Sequence, residues 1–183
     1  FSAARAWWML RAFGHTQVAI LDGGFRKWQA EGRMVEVAPP DAPPRGKFTA
    51  QLNRKFVKKL DDVWEASRRR DWQILDARSA GRFAGSDPEP RPGLRAGHIP
   101  NSLNIPHSAL SNPDGTVKSP AELRALFEGA GVNLAGPILT TCGSGVSACN
   151  LTFALHMLGH RDAPVYDGSW SEWGARPDTP KAP

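Results

Sequence analysis

The apolar run Pro137-Ile138-Leu139-Thr140-Thr141 stops at Cys142, two glycines follow within three residues, and Ser147–His160 is apolar for almost its whole length. That pattern predicts a strand, a tight loop and a buried helix. Upstream, Val57, Leu60, Val63 and Trp64 fall on one helical face. Trp72–Asp76 and Ser102–Ile105 read as short core strands, Phe48–Leu52 as a weakly alternating one, and Pro164–Tyr166 as the last. Ser119-Pro120-Ala121-Glu122 is a capping box with proline at the first helical position, which opens a helix to about Phe127. Residues 84–96 form a Pro- and Gly-rich loop. Apolar strands that alternate with helices predict an α/β fold, with a central, mostly parallel sheet covered by helices on both faces.

The first thirty residues gain meaning beside the last thirty. Laid without a gap over residues 146–173, residues 1–28 match at Ser2, Ala3, Leu10, Gly14, His15, Asp22, Gly23 and Trp28. Self-similarity at a domain-sized period predicts two copies of one fold. Residues 1–31 are then expected to be the C-terminal remnant of a first, non-catalytic copy, with a helix over Ser2–Phe13, a strand over Val18–Leu21 and a helix over Gly24–Ala30. Residues 32–54, with Pro39, Pro40, Pro43 and Pro44, are expected to be an interdomain linker, and residues 55–183 a complete catalytic copy. The helix carrying Trp7, Trp8, Met9, Leu10 and Phe13 needs cover, and the expected cover is an N-terminal portion of the same protein.

Cys142 lies where a strand hands over to a helix. Backbone N–H groups of the loop and the first helical turn can converge on its sulfur, and the glycines let the backbone curl that closely. Such a setting stabilises an anion and makes the sulfur a nucleophile. Phosphate chemistry of the Cys-x5-Arg kind needs an arginine six positions on, for bidentate grip; position 148 is Ala. A papain-like protease needs an activating histidine, and none lies nearby in the sequence. Sulfane sulfur is the remaining natural target, taken up as a Cys142 persulfide.

Cys142-Gly143-Ser144-Gly145-Val146-Ser147-Ala148 resembles the active-site loop of the 3-mercaptopyruvate sulfurtransferases, within the rhodanese superfamily. Gly97-His98-Ile99-Pro100, Tyr166-Asp167-Gly168-Ser169-Trp170 and the pair Arg82 and Arg91 match as well. The resemblance implies a rhodanese-like domain, preceded by a fragment of a second copy. It implies transfer of sulfur from 3-mercaptopyruvate to a thiol or cyanide, with release of pyruvate. Cys142 is then the nucleophile, and Ser144 positions the substrate thiol or relays its proton, unless its hydroxyl merely bonds the loop. Gly143, Gly145, Val146 and Ser147 complete the substrate ring, while Arg82 and Arg91 bind carboxylate and carbonyl. The resemblance also implies a thioredoxin-like thiol protein as acceptor. Thiosulfate-using relatives carry basic residues after the cysteine; Gly143 and Ser144 are neutral, which argues against thiosulfate as the main donor. Two alternatives stay open: thiosulfate:cyanide sulfurtransfer, and a non-catalytic module that docks partners or carries sulfur. Arg78, Arg95, His98, Asp167-Gly168, Trp170 and Trp173 read as structural.

Composition sets the remaining limits. The net charge is +5 and the pI about 9.6, but the basic residues are scattered and no nucleic-acid partner is expected. No run of 18 apolar residues is present, so no membrane span is expected. Cys142 and Cys149 make neither a disulfide framework nor zinc spacing, so no metal is expected. The resembling chemistry needs no organic cofactor. A reducing, cytoplasmic setting fits, with Cys149 a small core residue of the apolar helix.

Overall fold

A computed structural model describes residues 2–38, 42–161 and 163–183. Residue 1, and positions 39–41 of the expected linker with Pro39 and Pro40, lie outside the described residues. Among these residues the sheet has five strands: β1 (Val57–Lys58), β2 (Gln73–Asp76), β3 (Ser102–Asn104), β4 (Ile138–Thr141) and β5 (Val165–Tyr166). Their order is β1-β5-β4-β2-β3, with every pairing parallel. β4, the strand that ends at Cys142, is therefore central.

Neighbouring residues of each strand point to opposite faces, and both faces are apolar. Leu75, Ile138 and Val165 face a cluster with Trp7 and Trp8 of α1 (Ala3–Ala12), Leu123 and Phe127 of α5 (Pro120–Gly129), and Leu151 and Leu155 of α6 (Ala148–Met157). Ile74, Leu139 and Tyr166 face the other layer, with Val63 and Ala66 of α3 (Leu60–Arg69) and Trp170 and Trp173 of α7 (Ser169–Trp173). A strand buried on both sides has no polar face, which is why these segments read as unbroken apolar runs. The capping box forms as expected: Ser119 Oγ accepts from Glu122 N–H, and the Glu122 carboxylate accepts from Ser119 N–H at 2.9 Å.

The chain departs from its sequence pattern in three places. Val18–Leu21 and Phe48–Leu52 are not strands; neither has a partner strand to complete a ladder, and Phe48 and Leu52 stay exposed. Val57 does not join the helix of Leu60, Val63 and Trp64; it pairs with Val165 as the sheet edge, and α3 begins at Leu60. Just before the loop expected over residues 84–96, in a stretch with no sequence assignment, a short helix α4 (Ala80–Phe83) forms, its start capped by the Ser79 hydroxyl. Arg82 sits on it.

The bounds of α1 and α2 (Gly24–Ala30) can be set beside those of α6 and α7. Under the alignment of residues 1–28 with 146–173, α1 falls on α6 end to end and α2 starts on the first residue of α7. Gly14 and Gly159, which end the paired helices, both hold φ of 96°, the left-handed conformation that glycine accepts. α1 is covered from within the described chain. Trp7 meets Phe153 of α6 edge-on at 5.0 Å and His156 at 5.1 Å, while Met9, Leu10 and Phe13 stay partly exposed. No described helix is long and apolar enough to cross a membrane.

This packing gives a stability prediction. Trp7 is 4% exposed, so Trp7→Ala should cost about 3–5 kcal/mol through lost transfer energy and the residual cavity. Chemical denaturation should show the loss as a lower midpoint. An unchanged midpoint would mean that α1 contributes little to the core.

Candidate active site

The chain order of the strands reverses at β2: β3 lies on one side of it and β4 on the other. The carboxyl ends of β2 and β4 therefore border a crevice from which the connections diverge, the usual ligand position of open parallel sheets. A cavity of about 340 Å³ opens there. After β2 come Arg78, Ser79 and Arg82; after β4 come Gly143, Ser144, Val146 and Ser147; His107, Arg91 and Ser171 close the sides.

The loop after β4 is anchored from behind. Cys142 O accepts the Trp170 N–H at 2.9 Å, and Gly143 O accepts the Ser171 N–H at 2.9 Å and the Ser171 hydroxyl at 2.5 Å. Cys142 N–H donates to Ser169 Oγ at 3.2 Å, and that hydroxyl donates to Tyr166 O at 2.7 Å. Ser169 reaches this position with φ of 50°, an uncommon conformation for a residue with a side chain. The amides of residues 143–148 take no acceptor among the described residues. Buried amides are normally paired; here residues 145, 147 and 148 are buried and their donors remain available to an anion beside Cys142. The first turn of α6 adds its dipole. Cys142 is 1% exposed, at the end of β4.

Arg82 is fixed rather than free. Glu89, whose carboxylate is almost wholly buried, accepts from Arg82 Nη2 at 2.6 Å and Nε at 3.2 Å, and from Arg78 Nη1 at 2.8 Å. Arg78 is fully buried, forks onto Asp76 at 2.7 and 2.9 Å, and lies over the Trp170 ring at 4.5 Å. This network presents Arg82 to the cavity in one orientation. A Cβ on Gly143 would stand 2.8 Å from Arg82 Nη2, so a side chain at position 143 would require the Arg82 guanidinium to shift. Arg91 donates to Ser171 Oγ at 2.6 Å and shares a hydroxyl with the loop.

The cavity thus gathers six of the eight expected residues: Ser144, Arg82, Arg91, Gly143, Val146 and Ser147. Cys142 lies behind the loop. Gly145 points the other way, with φ of 75° and the space over its Cα filled by Asp167. The Ser144 hydroxyl makes no hydrogen bond among the described residues, so it is not spent on the loop. Sequence reasoning missed Glu89, Ser171 and His107. Glu89 is set between two prolines, a rigid frame for a buried acid. His107 follows β3, and a residue at the carboxyl end of a parallel strand is a signal that position alone provides. No histidine lies near Cys142 in the sequence, and a loop remote in sequence brings His107 to the cavity wall. Ser171 carries no such signal.

Of the residues read as structural, Arg95 binds Gly174 O, Trp173 O and Thr179, and His98 stacks on Phe83 and pairs with its carbonyl. Asp167 pairs with Arg5 of α1 at 2.5 Å. Cys149 lies beneath the loop, its thiol donating to Gly145 O at 3.2 Å, and burial pushes that thiol up to about 12. Among the described residues no group of three or more His, Cys, Asp or Glu side chains is placed to hold a metal.

Residues 59–176 match the family of the rhodanese-like domain. The chain is 48% identical over 183 residues to the 3-mercaptopyruvate sulfurtransferase of Escherichia coli K12, covering 100% of this chain and 64% of that one. It is 45% identical over 177 residues to the thiosulfate sulfurtransferase of Rattus norvegicus, covering 96% and 59%. The crystal structure of the E. coli 3-mercaptopyruvate sulfotransferase SseA superposes with a TM-score of 0.81 and 44% identity over 94% of this chain and 63% of that one. The chain spans about three fifths of the length of the curated relatives it matches.

Burial pushes the Cys149 thiol up to about 12, so iodoacetamide applied to the folded protein below about pH 9 should spare Cys149 until the chain is unfolded. Peptide mapping reads the site; native labelling of Cys149 as fast as in the unfolded chain would contradict the buried arrangement.

Proposed function

This chain belongs to the rhodanese family, and from that premise we propose that it moves sulfane sulfur from 3-mercaptopyruvate to a thiol or cyanide through a Cys142 persulfide, with release of pyruvate. The observation that carries the reading is the pairing of Cys142, behind a loop of unengaged amides, with two arginines on one cavity wall. The Cys142 thiolate attacks the donor sulfur. The donor's carbon–sulfur bond breaks, and its electron pair passes to the methylene carbon, where the adjacent carbonyl holds it as an enolate. The outer sulfur stays on Cys142 as an anion within the ring of amides. An acceptor thiolate or cyanide then takes it and restores the thiolate.

Arg82 and Arg91 serve the planar keto acid as guanidinium forks, and Ser144 faces the donor thiol. The space over Gly143, taken by Arg82, supports a keto-acid donor over thiosulfate. The identity to a thiosulfate sulfurtransferase keeps that donor as the second reading. An N-terminal portion of the same protein and a thioredoxin-like acceptor are the partners we assign; residues 1–31 and 55–183 are read as parts of two copies of the fold. Two free cysteines favour a reducing compartment, and we place the protein in the cytoplasm.

Intact mass after addition of 3-mercaptopyruvate should show one added sulfur. Cys142→Ser should abolish both that sulfur and pyruvate release, whereas Cys149→Ser should keep most of the activity. Persulfide on Cys149 in the unaltered protein would overturn the assignment.

Substrate anchoring makes a separate prediction. Arg82→Ala or Arg91→Ala removes a charged hydrogen bond worth about 1.5–3 kcal/mol, so KM for 3-mercaptopyruvate should rise about ten- to a hundredfold. Arg82→Lys should recover little, since it keeps the charge and loses the fork. Unchanged KM in both alanine variants would place the carboxylate elsewhere.

A further inference from the structure

The amides of the loop after β4 can face the sulfur only if their carbonyls face away from it. A trans peptide unit sets C=O and N–H in opposite directions, and no cis unit occurs among the described residues. The Trp170 N–H holds Cys142 O, which sets the direction of the Gly143 N–H; Ser171 holds Gly143 O, which sets that of the Ser144 N–H. Both anchors come from α7. The unit that joins Gly145 to Val146 is held from a different part of the chain. Gly145 O accepts from Arg5 Nη1 of α1 at 3.4 Å and from the Cys149 thiol at 3.2 Å. The Val146 N–H therefore points away from the Arg5 side of the loop, and Val146 itself lines the cavity.

Arg5 is itself fixed. Its Nη1 also donates to Asp167 Oδ1 at 2.5 Å, and its guanidinium lies 4.7 Å from the centroid of the Trp8 ring. The bond to Gly145 O is long, but the loop is pressed against the pair: a Cβ on Gly145 would stand 2.7 Å from Asp167 Oδ1 and 3.1 Å from Arg5 Nη1. We propose that Arg5 is a positioning residue of the active-site loop: clamped by Asp167, it holds the Gly145 carbonyl turned away from the cavity and so aims the Val146 N–H at the sulfur carried by Cys142. This role rests on the sulfurtransferase reading of the site. It gives α1, which lies outside the residues matched to the rhodanese-like domain, a share in the catalytic loop beyond its packing through Trp7.

Two variants test the clamp from its two ends. Arg5→Met keeps an apolar stem beside Trp8 and removes the donors, and Asp167→Asn removes the charge that fixes Arg5. Nitrogen–proton spectra before and after loading of sulfur from 3-mercaptopyruvate read the loop one peptide unit at a time. In both variants the downfield shift of the Val146 amide on loading should be lost, while those of Gly143 and Ser144, whose units are held from α7, should persist. Single-turnover loading at saturating donor, followed by intact mass, should slow about tenfold, a part of the roughly hundred- to thousandfold that follows removal of a whole donor of this kind. The half-saturating donor concentration should change less than about twofold, because Arg5 lies outside the cavity lining. The denaturation midpoint should move little, since the Arg5–Asp167 pair is partly exposed. Equal changes at Gly143, Ser144 and Val146 would make Arg5 a residue of the fold alone, and unchanged shifts with unchanged loading would make its pair with Asp167 a surface contact only; either result overturns the proposal. A raised half-saturating concentration without slower loading would overturn it as well. Failure of the unaltered protein to load sulfur from 3-mercaptopyruvate would instead bring down the sulfurtransferase reading, and the proposal with it.

Discussion

The carbonyls of Cys142 and Gly143 are taken from behind by the N–H groups of Trp170 and Ser171, and the loop can curl only because that is so. With its first carbonyls turned away into α7, the amides of residues 143–148 are left without internal partners. A run of unpaired donors is costly unless something negative fills it. The loop is thus built around an anion, and the arrangement depends on a short helix more than twenty residues downstream. Two devices hold that helix in register: Ser169, in its left-handed conformation, ties Cys142 N to Tyr166 O, and Trp170 and Trp173 lock α7 into the core.

A second constraint runs along β2. Asp76 ends that strand inside the protein and is compensated by Arg78, which passes to Glu89, which fixes Arg82. A charge buried in the core needs such pairing, and the pairing delivers a rigid guanidinium to the mouth of the cavity. The same guanidinium crowds the space over Gly143. The position of that guanidinium thereby follows from an ionic chain that starts in the sheet.

Much of this was legible in the residues. The run from Ile138 to Thr141 ending at Cys142, the glycines and the apolar helix after them specify strand, loop and helix locally, and the structure follows. Arg82 and Arg91 were legible only through family resemblance, since nothing in their spacing says that β2 and β4 open side by side. What stayed hidden was set by tertiary context. Val57 looks helical beside Leu60 and Val63, yet the free edge of β5 recruits it into the sheet. Val18–Leu21 has strand composition but no neighbouring edge to pair with. His107 and Ser171 reach the cavity from segments separated from Cys142 in sequence, and no local pattern marks them. Residues 1–28 share identities with residues 146–173, and under that alignment the helix bounds and the conformations of Gly14 and Gly159 coincide.

The central claim is that the amides of residues 143–148 enclose the sulfur carried by Cys142. A nitrogen–proton correlation spectrum, recorded before and after loading of that sulfur, tests it most directly. The account predicts downfield proton shifts for the amides of residues 143–148, which gain a charged acceptor, and small changes for Trp170 and Ser171, whose carbonyl partners stay in place. Loading that leaves the loop amides unmoved would contradict it.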